Sequence, residues 1–196
     1  MNPKLSILIC TTINRTEMFN QLVHHLQTQI NEFGRQKEVE IVSECDNKEI
    51  SVGKKRQNLI EKAKGDYVVF IDSDDFVPYY YVEKILEAIK LSPDCIGFRI
   101  ECKGTTGVTA SASNKWDDWA DNVGGFDYVR TIYHKTPVKR EIALEIGYKD
   151  LRFAEDYDYS KRLKQSGLLK HEVFINEIMY EYRYKHEDSK TKYGIK

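Results

Sequence analysis

The sequence predicts an α/β fold, a mostly parallel sheet flanked by helices and followed by a small mixed region. Three observations carry that prediction. Leu5-Ser6-Ile7-Leu8-Ile9-Cys10 and Tyr67-Val68-Val69-Phe70-Ile71 are short, near-continuous apolar runs, the composition of strands covered on both faces. Between such runs lie segments whose apolar residues recur at helical spacing, so strand and helix alternate. The second run stops at Asp72-Ser73-Asp74-Asp75, three carboxylates in four positions, and open α/β sheets hold their ligands beyond the carboxyl ends of their strands.

Taken in order, the strand Leu5–Cys10 runs into Thr11-Thr12-Ile13-Asn14-Arg15-Thr16, which offers hydroxyls and a guanidinium. Asn14 or Thr16 is expected to cap a helix bearing Phe19, Leu22, Val23, Leu26, Ile30 and Phe33, ended by Gly34. Val39–Cys45 is the second strand, with Asp46-Asn47 at its carboxyl end. Gly53-Lys54-Lys55-Arg56 then opens a helix that closes at Gly65. From Lys48 to Lys64 there are six cations against two acids, and a cationic helix start suits an anion such as phosphate. A solvated face is the plain alternative for a charge run, but these cations directly precede the acidic strand end.

Pro78 begins a helix with Val82, Ile85, Leu86 and Ile89 buried, and Cys95–Ile100 reads as a fourth strand. Gly104 to Asn114, rich in Gly, Thr, Ser and Ala, is expected as a hairpin or mobile loop. Trp116 and Trp119 beside Asp117-Asp118 suit either a sugar-stacking platform or a packing anchor. A short helix follows Pro137 and ends at Gly147. Another begins at Glu155-Asp156, where acids also favour the helix dipole. Glu172–Ile175 and Ile178–Tyr184 are expected to pair through a turn at Asn176-Glu177.

At 196 residues, 41% of them apolar, the chain reads as a single domain. Its net charge of −1 argues against a strongly basic nucleic-acid binder. Cys10, Cys45, Cys95 and Cys102 show no C-x-x-C spacing and are expected as buried thiols. With no signal peptide and no apolar run long enough to span a bilayer, a cytoplasmic protein is expected.

Two carboxylates about 4 Å apart repel by roughly 4 kcal/mol at an effective dielectric of 20. Three together call for neutralisation, and an oxygen-preferring divalent cation is the simplest agent; a polar turn is the alternative.

Together these pieces resemble the family-two glycosyltransferases of the GT-A fold, whose Rossmann-like sheet binds a nucleotide-sugar. The resemblance rests on Leu5 to Arg15, on Gly53-Lys54-Lys55-Arg56-Gln57, and on Ala63-Lys64-Gly65-Asp66-Tyr67 leading to the D-x-D signature Asp72-Ser73-Asp74-Asp75. It continues with Glu155-Asp156-Tyr157 and with Tyr182-Arg183 followed by His186 and Ser189. Gln57 departs from the asparagine usual in the family, which places that contact in question.

The resemblance implies that residues 1-102 bind the donor, a UDP-sugar, and that 103-196 supply the acceptor side and the base. Thr11, Arg15 and Asp46 would face the uridine, Lys55 and Arg56 the base or diphosphate, and Asp72 the ribose. Asp74, with His186 from the tail, would ligate Mn²⁺ or Mg²⁺, which offsets the charge of the departing diphosphate. Asp156 would be the general base of a single inverting displacement, with Glu155, Trp116 and Trp119 on the acceptor side.

The acceptor is expected to be a hydroxyl of a glycan, lipid or protein precursor. A hydroxymethylated viral DNA base is a minority option, for which Lys135, Lys139, Arg140 and the lysines of the tail would supply a basic surface. A sugar nucleotidyltransferase or a dinucleotide-binding dehydrogenase is disfavoured because no glycine-rich loop follows the first strand. A catalytically silent sugar-nucleotide binder is the alternative from another class.

Overall fold

The computed structural model describes residues 2–103 and 108–183. The first half alternates as expected: β1 (Leu5–Thr12), α1 (Thr16–Glu32), β2 (Val39–Asp46), α2 (Val52–Lys62), β3 (Tyr67–Phe70), α3 (Tyr81–Ile89) and β4 (Cys95–Lys103). Then come β5 (Thr109–Ala112), β6 (Ala120–Val123), β7 (Phe126–Arg130), β8 (Val138–Lys139), α4 (Arg140–Ile146), α5 (Glu155–Ser166) and β9 (Glu172–Arg183). One sheet runs β2-β1-β3-β8-β4-β5-β7-β6, with β9 also paired to β4. β1 is parallel to β2 and β3, β9 is parallel to β4 and β5 to β7, whereas β8 runs against β3 and β4, and β5 against β4. This is the mostly parallel α/β sheet of the GT-A fold, with its mixed region at one side.

Burial on both faces explains the continuous apolar runs. Leu5, Ile7, Ile9, Tyr67, Val69 and Ile71 join one core cluster with residues of α1 and α3. The alternate residues Leu8, Val68 and Phe70 join the other, with residues of α2, α4 and α5. Both faces of β3 are therefore covered, and Asp72–Asp75 follow at its carboxyl end.

Several expectations are corrected. Neither Asn14 nor Thr16 caps α1; a 3-10 turn over Ile13–Arg15 precedes it, and the Thr16 hydroxyl donates back to the Ile13 carbonyl at 2.6 Å. α2 starts one residue before Gly53, because Ser51 accepts from the Lys54 amide at 3.0 Å and supplies the cap. Cys45 is exposed, since β2 is an edge strand whose alternate residues near its end face solvent; none of the four cysteines forms a disulfide. Asn176-Glu177 is a bulge, not a turn: β9 is one strand that stays on β4, passing from Phe98–Ile175 to Arg99–Ile178. The apolar residues on each side of the bulge both find β4 as a partner, so no reversal is needed. Of the segment 104–114, the described part forms β5, antiparallel to β4.

Candidate active site

The acids at the end of β3 meet cations from two other elements. The turn after β7 is closed by Thr136, whose amide donates to the Tyr133 carbonyl at 3.1 Å and whose hydroxyl accepts from the Tyr133 amide at 3.0 Å. The His134 carbonyl accepts from the Phe70 amide at 2.9 Å, which ties the turn to β3. Lys135 consequently reaches Asp72 at 3.1 Å and Asp75 at 2.5 Å, fully buried. From α2, Arg56 reaches Asp72 at 3.0 Å and Glu155 at 3.2 Å, with its guanidinium over the Phe70 ring.

α2 can lie this close to the loop before α5 because residue 53 is glycine. A Cβ there would press into the Lys149 carbonyl, and the Gly53 amide donates to the Leu151 carbonyl at 3.0 Å. The chain enters α5 through Ala154 in the left-handed conformation, φ 58°, a strained state for a residue with a side chain. Glu155 is thereby buried against Arg56. Asp156 keeps its side chain 26% exposed, 3.2 Å from Arg130 Nη1 and 3.8 Å from His134 Nδ1.

His134 stands between the two halves. Its Nε2 lies 3.3 Å from Asp72 Oδ2 while its Nδ1 faces Asp156, and the ring is 4% exposed. Burial and then the nearby Arg56 push its imidazole down to about 4, so it is neutral near pH 7. Burial works to raise the Asp72 carboxyl, yet Lys135, the His134 contact and Arg56 hold it well below the usual carboxylate range. Burial likewise opposes ionisation of Asp156, which the His134 contact, Arg130 and Arg56 nevertheless hold below its ordinary value. With the imidazole neutral, the two guanidinia keep Asp156 ionised.

The remaining expected residues take distinct places. Lys55 is buried, pairs with Asp46 and donates to the Thr11 carbonyl at 2.8 Å. Asp46 also accepts from the Ile50 amide at 2.9 Å, and Lys55 with the backbone amides lowers its carboxyl against the effect of burial. Thr11 is buried, and Lys55 and Arg56 of α2 are already paired with the chain's own acids. Arg15 pairs with Asp74 at 3.0 Å, with both side chains partly exposed.

Trp116 anchors the mixed region: its indole donates to Ser111 Oγ at 3.1 Å and packs against Gly124. Trp119 is half exposed and stacks on Tyr128 at 4.6 Å, with Arg130 lying over it at 5.4 Å. It therefore reaches Asp156 through Arg130. His186, Ser189 and the tail lysines lie outside the described residues.

The three-carboxylate run is neutralised by protein cations, contrary to the expectation that a metal is needed for that purpose. Asp75 is a buried hub: it accepts from Lys135, from the Tyr180 hydroxyl at 2.8 Å and from the Arg183 amide at 2.9 Å. Among the described residues, the basic surface expected from Lys135, Lys139 and Arg140 is not formed as drawn. Lys135 is buried, Lys139 pairs with Asp94 at 2.8 Å, and Arg140 donates to the Ile60 and Glu61 carbonyls. His134, Arg130 and Tyr180 were not singled out as site residues from sequence. The one signal for His134 was its place beside Lys135 ahead of Pro137, in a segment read only for charge. No helix among the described residues is long and apolar enough to cross a membrane.

Comparison with known proteins agrees with this fold. Structures of residues 1-349 of S. aureus TarS are similar to the chain: the complex with UDP-GlcNAc has a TM-score of 0.66 at 16% identity, covering 95% of this chain and 61% of that one. The complex with UDP has a TM-score of 0.62 at 17% identity, covering 94% and 62%. The chain spans 37% of the longer S. aureus TarS structure. At these identities the likeness concerns the fold. No curated protein sequence matches the chain. The model of glycosyl transferase family 2 matches residues 30–143, more than half the chain, taking in the acids that close β3 but ending before Asp156. The chain therefore belongs to glycosyl transferase family 2.

Proposed function

We propose that the protein is an inverting glycosyltransferase that moves a sugar from a UDP-sugar to an acceptor hydroxyl. One observation carries the reading: Asp72, at the donor strand end, and Asp156, on α5, both lie within 3.8 Å of the single imidazole of His134. A donor seated over the strand ends would thus have its reacting carbon next to an ionised, partly exposed carboxylate. Asp156 would accept the proton of the attacking hydroxyl, and one carboxylate suffices for a single displacement with inversion. The TarS complexes with UDP-GlcNAc and UDP support a uridine diphosphate donor.

Residues 1–102 would bind that donor and 103–196 the acceptor, in the cytoplasm. Thr11, Arg15 and Asp46 border the uridine side in this reading. Asp72 would take the ribose with whatever acceptor capacity its cations leave. Trp119 and Glu155 lie toward the acceptor, a hydroxyl of a glycan or other precursor.

Asp74 is the acid of the run that fits Mn²⁺ or Mg²⁺. Its partner Arg15 is 40% exposed, and a surface pair of that kind is worth only about 0–1 kcal/mol, so a cation can replace it. Among the described residues no three metal-ligating side chains converge, so donor phosphates and His186 would complete the site. The bound cation would stabilise the charge left on the diphosphate.

The test is release of UDP from a panel of UDP-sugars in the presence of Mn²⁺. Wild type should turn over at least one donor, and Asp156→Asn should lose about 10²–10⁴-fold in rate while still binding it. Donor binding without turnover by wild type would leave only a binding protein.

A further inference from the structure

His134 Nδ1 is buried and has no hydrogen-bond partner among the described residues. Leaving a buried polar group unpaired costs about 1–3 kcal/mol, which points to a partner supplied during the working cycle. If Nε2–H donates to Asp72 Oδ2, Nδ1 carries a lone pair directed toward Asp156 Oδ2, 3.8 Å away. We propose that His134 receives the acceptor's proton by way of Asp156. The inference rests on the transferase reading above.

The step balances simply. The acceptor O–H bond breaks as its oxygen bonds to the anomeric carbon, and the proton goes to Asp156. It then moves from Asp156 Oδ2 to His134 Nδ1, leaving a carboxylate and an imidazolium held between Asp72 and Asp156. His134 cannot take the proton directly, because its ring is buried while Asp156 is open to an acceptor. Catalytic hydrogen bonds commonly tighten when substrate binds, and the relay needs the 3.8 Å gap to close in that way.

The charges agree. Asp72, Asp75, Glu155 and Asp156 oppose Arg56, Lys135 and Arg130, so the cluster has one excess negative charge and one added proton balances it. A proton left on Asp156 would sit against Arg130, 3.2 Å away, whereas on His134 it would lie between the Asp72 and Asp156 carboxylates, with Arg56 opposing it.

The experiment compares wild type, His134→Gln and His134→Asn in release of UDP from UDP-GlcNAc with Mn²⁺. Gln can keep the donor to Asp72 but removes the group at Nδ1, so kcat should fall about 10- to 100-fold with the donor KM unchanged. Asn restores a hydrogen-bonding group at Nδ1 that takes up no proton, and kcat should remain low. A wild-type kcat in either variant, or a raised KM at unchanged kcat, overturns the relay. Should the variants fail to fold, nitrogen NMR of the wild-type imidazole decides it: the relay requires the proton on Nε2, and a proton on Nδ1 refutes it. A wild type that releases no UDP from any UDP-sugar would instead refute the transferase reading.

Discussion

Lowering the pH from 7 to 5 should withdraw stability that depends on one buried ring. An exposed imidazole titrates near 6.5, whereas burial and Arg56 hold that of His134 at about 4. Because the folded value is depressed, the unfolded chain binds a proton in this window that the folded chain refuses, so acid favours unfolding. The contribution is fully present above about 6.5, declines as the pH falls, and is lost at about 4. The full gap corresponds to about 3 kcal/mol, and at pH 5 about 2 kcal/mol has gone. For a chain of this size that is a drop in Tm of about 4–8 °C. Asp72 and Asp156 are also depressed, but both lose their contributions at lower pH than this window. His25 is lowered by burial too and adds a loss of the same sign. The assay is therefore a difference: urea unfolding at both pH values for wild type and for His134→Gln, in which the His25 contribution cancels. The variant should lose about 2 kcal/mol less than wild type. Equal losses would show that His134 is not held neutral by its surroundings.

Further predictions concern the same cluster and its supports. Lys135→Met leaves Asp72 and Asp75 facing each other without their shared cation, and should cost about 3–5 kcal/mol in denaturant unfolding; a loss below about 1 kcal/mol would mean that the pairs are solvent-screened. Gly53→Ala drives a methyl into the Lys149 carbonyl and should cost about 1–3 kcal/mol, with a lower activity because α2 carries Arg56. Ala154→Gly relieves the left-handed backbone before α5 and should raise stability by about 1 kcal/mol, read as a higher Tm. If the strain helps to aim Asp156, kcat for UDP release should fall in the same variant.

Much of the first half of the chain was legible because it is built from local patterns. The continuous apolar composition of β1 and β3 announced strands covered on two faces, and the spacing in α1 and α3 announced their buried sides. The acids at the end of β3 were equally visible. Their partners were not, because Lys135 and Arg56 meet Asp72 across distances that no local period encodes. Charge counting placed Lys54, Lys55 and Arg56 together as an anion site, yet successive helical residues point in different directions. Lys54 faces solvent, while Lys55 and Arg56 enter separate acid pairs. β6 and β7 were missed because charged and polar residues interrupt their apolar positions, and β8 because it spans only Val138–Lys139. The two halves of β9 looked like a hairpin, since a bulge and a turn share their polar residues. Only pairing with β4 distinguishes them.

The contacts of Tyr180 also bear on how the molecule comes together in time. Its hydroxyl accepts from the Asp72 amide and donates to Asp75, across sequence separations of 108 and 105 residues. Closing such long loops precedes any energetic return and makes folding slow. On a ribosome, β1, β2 and β3 can emerge and pair while β9 is still unmade. The acidic turn would then lack its last hydroxyl and the Arg183 amide. A nascent chain should hold the outline of the acidic strand end well before Asp75 has its partners from β9, and the arrival of β9 completes that hub.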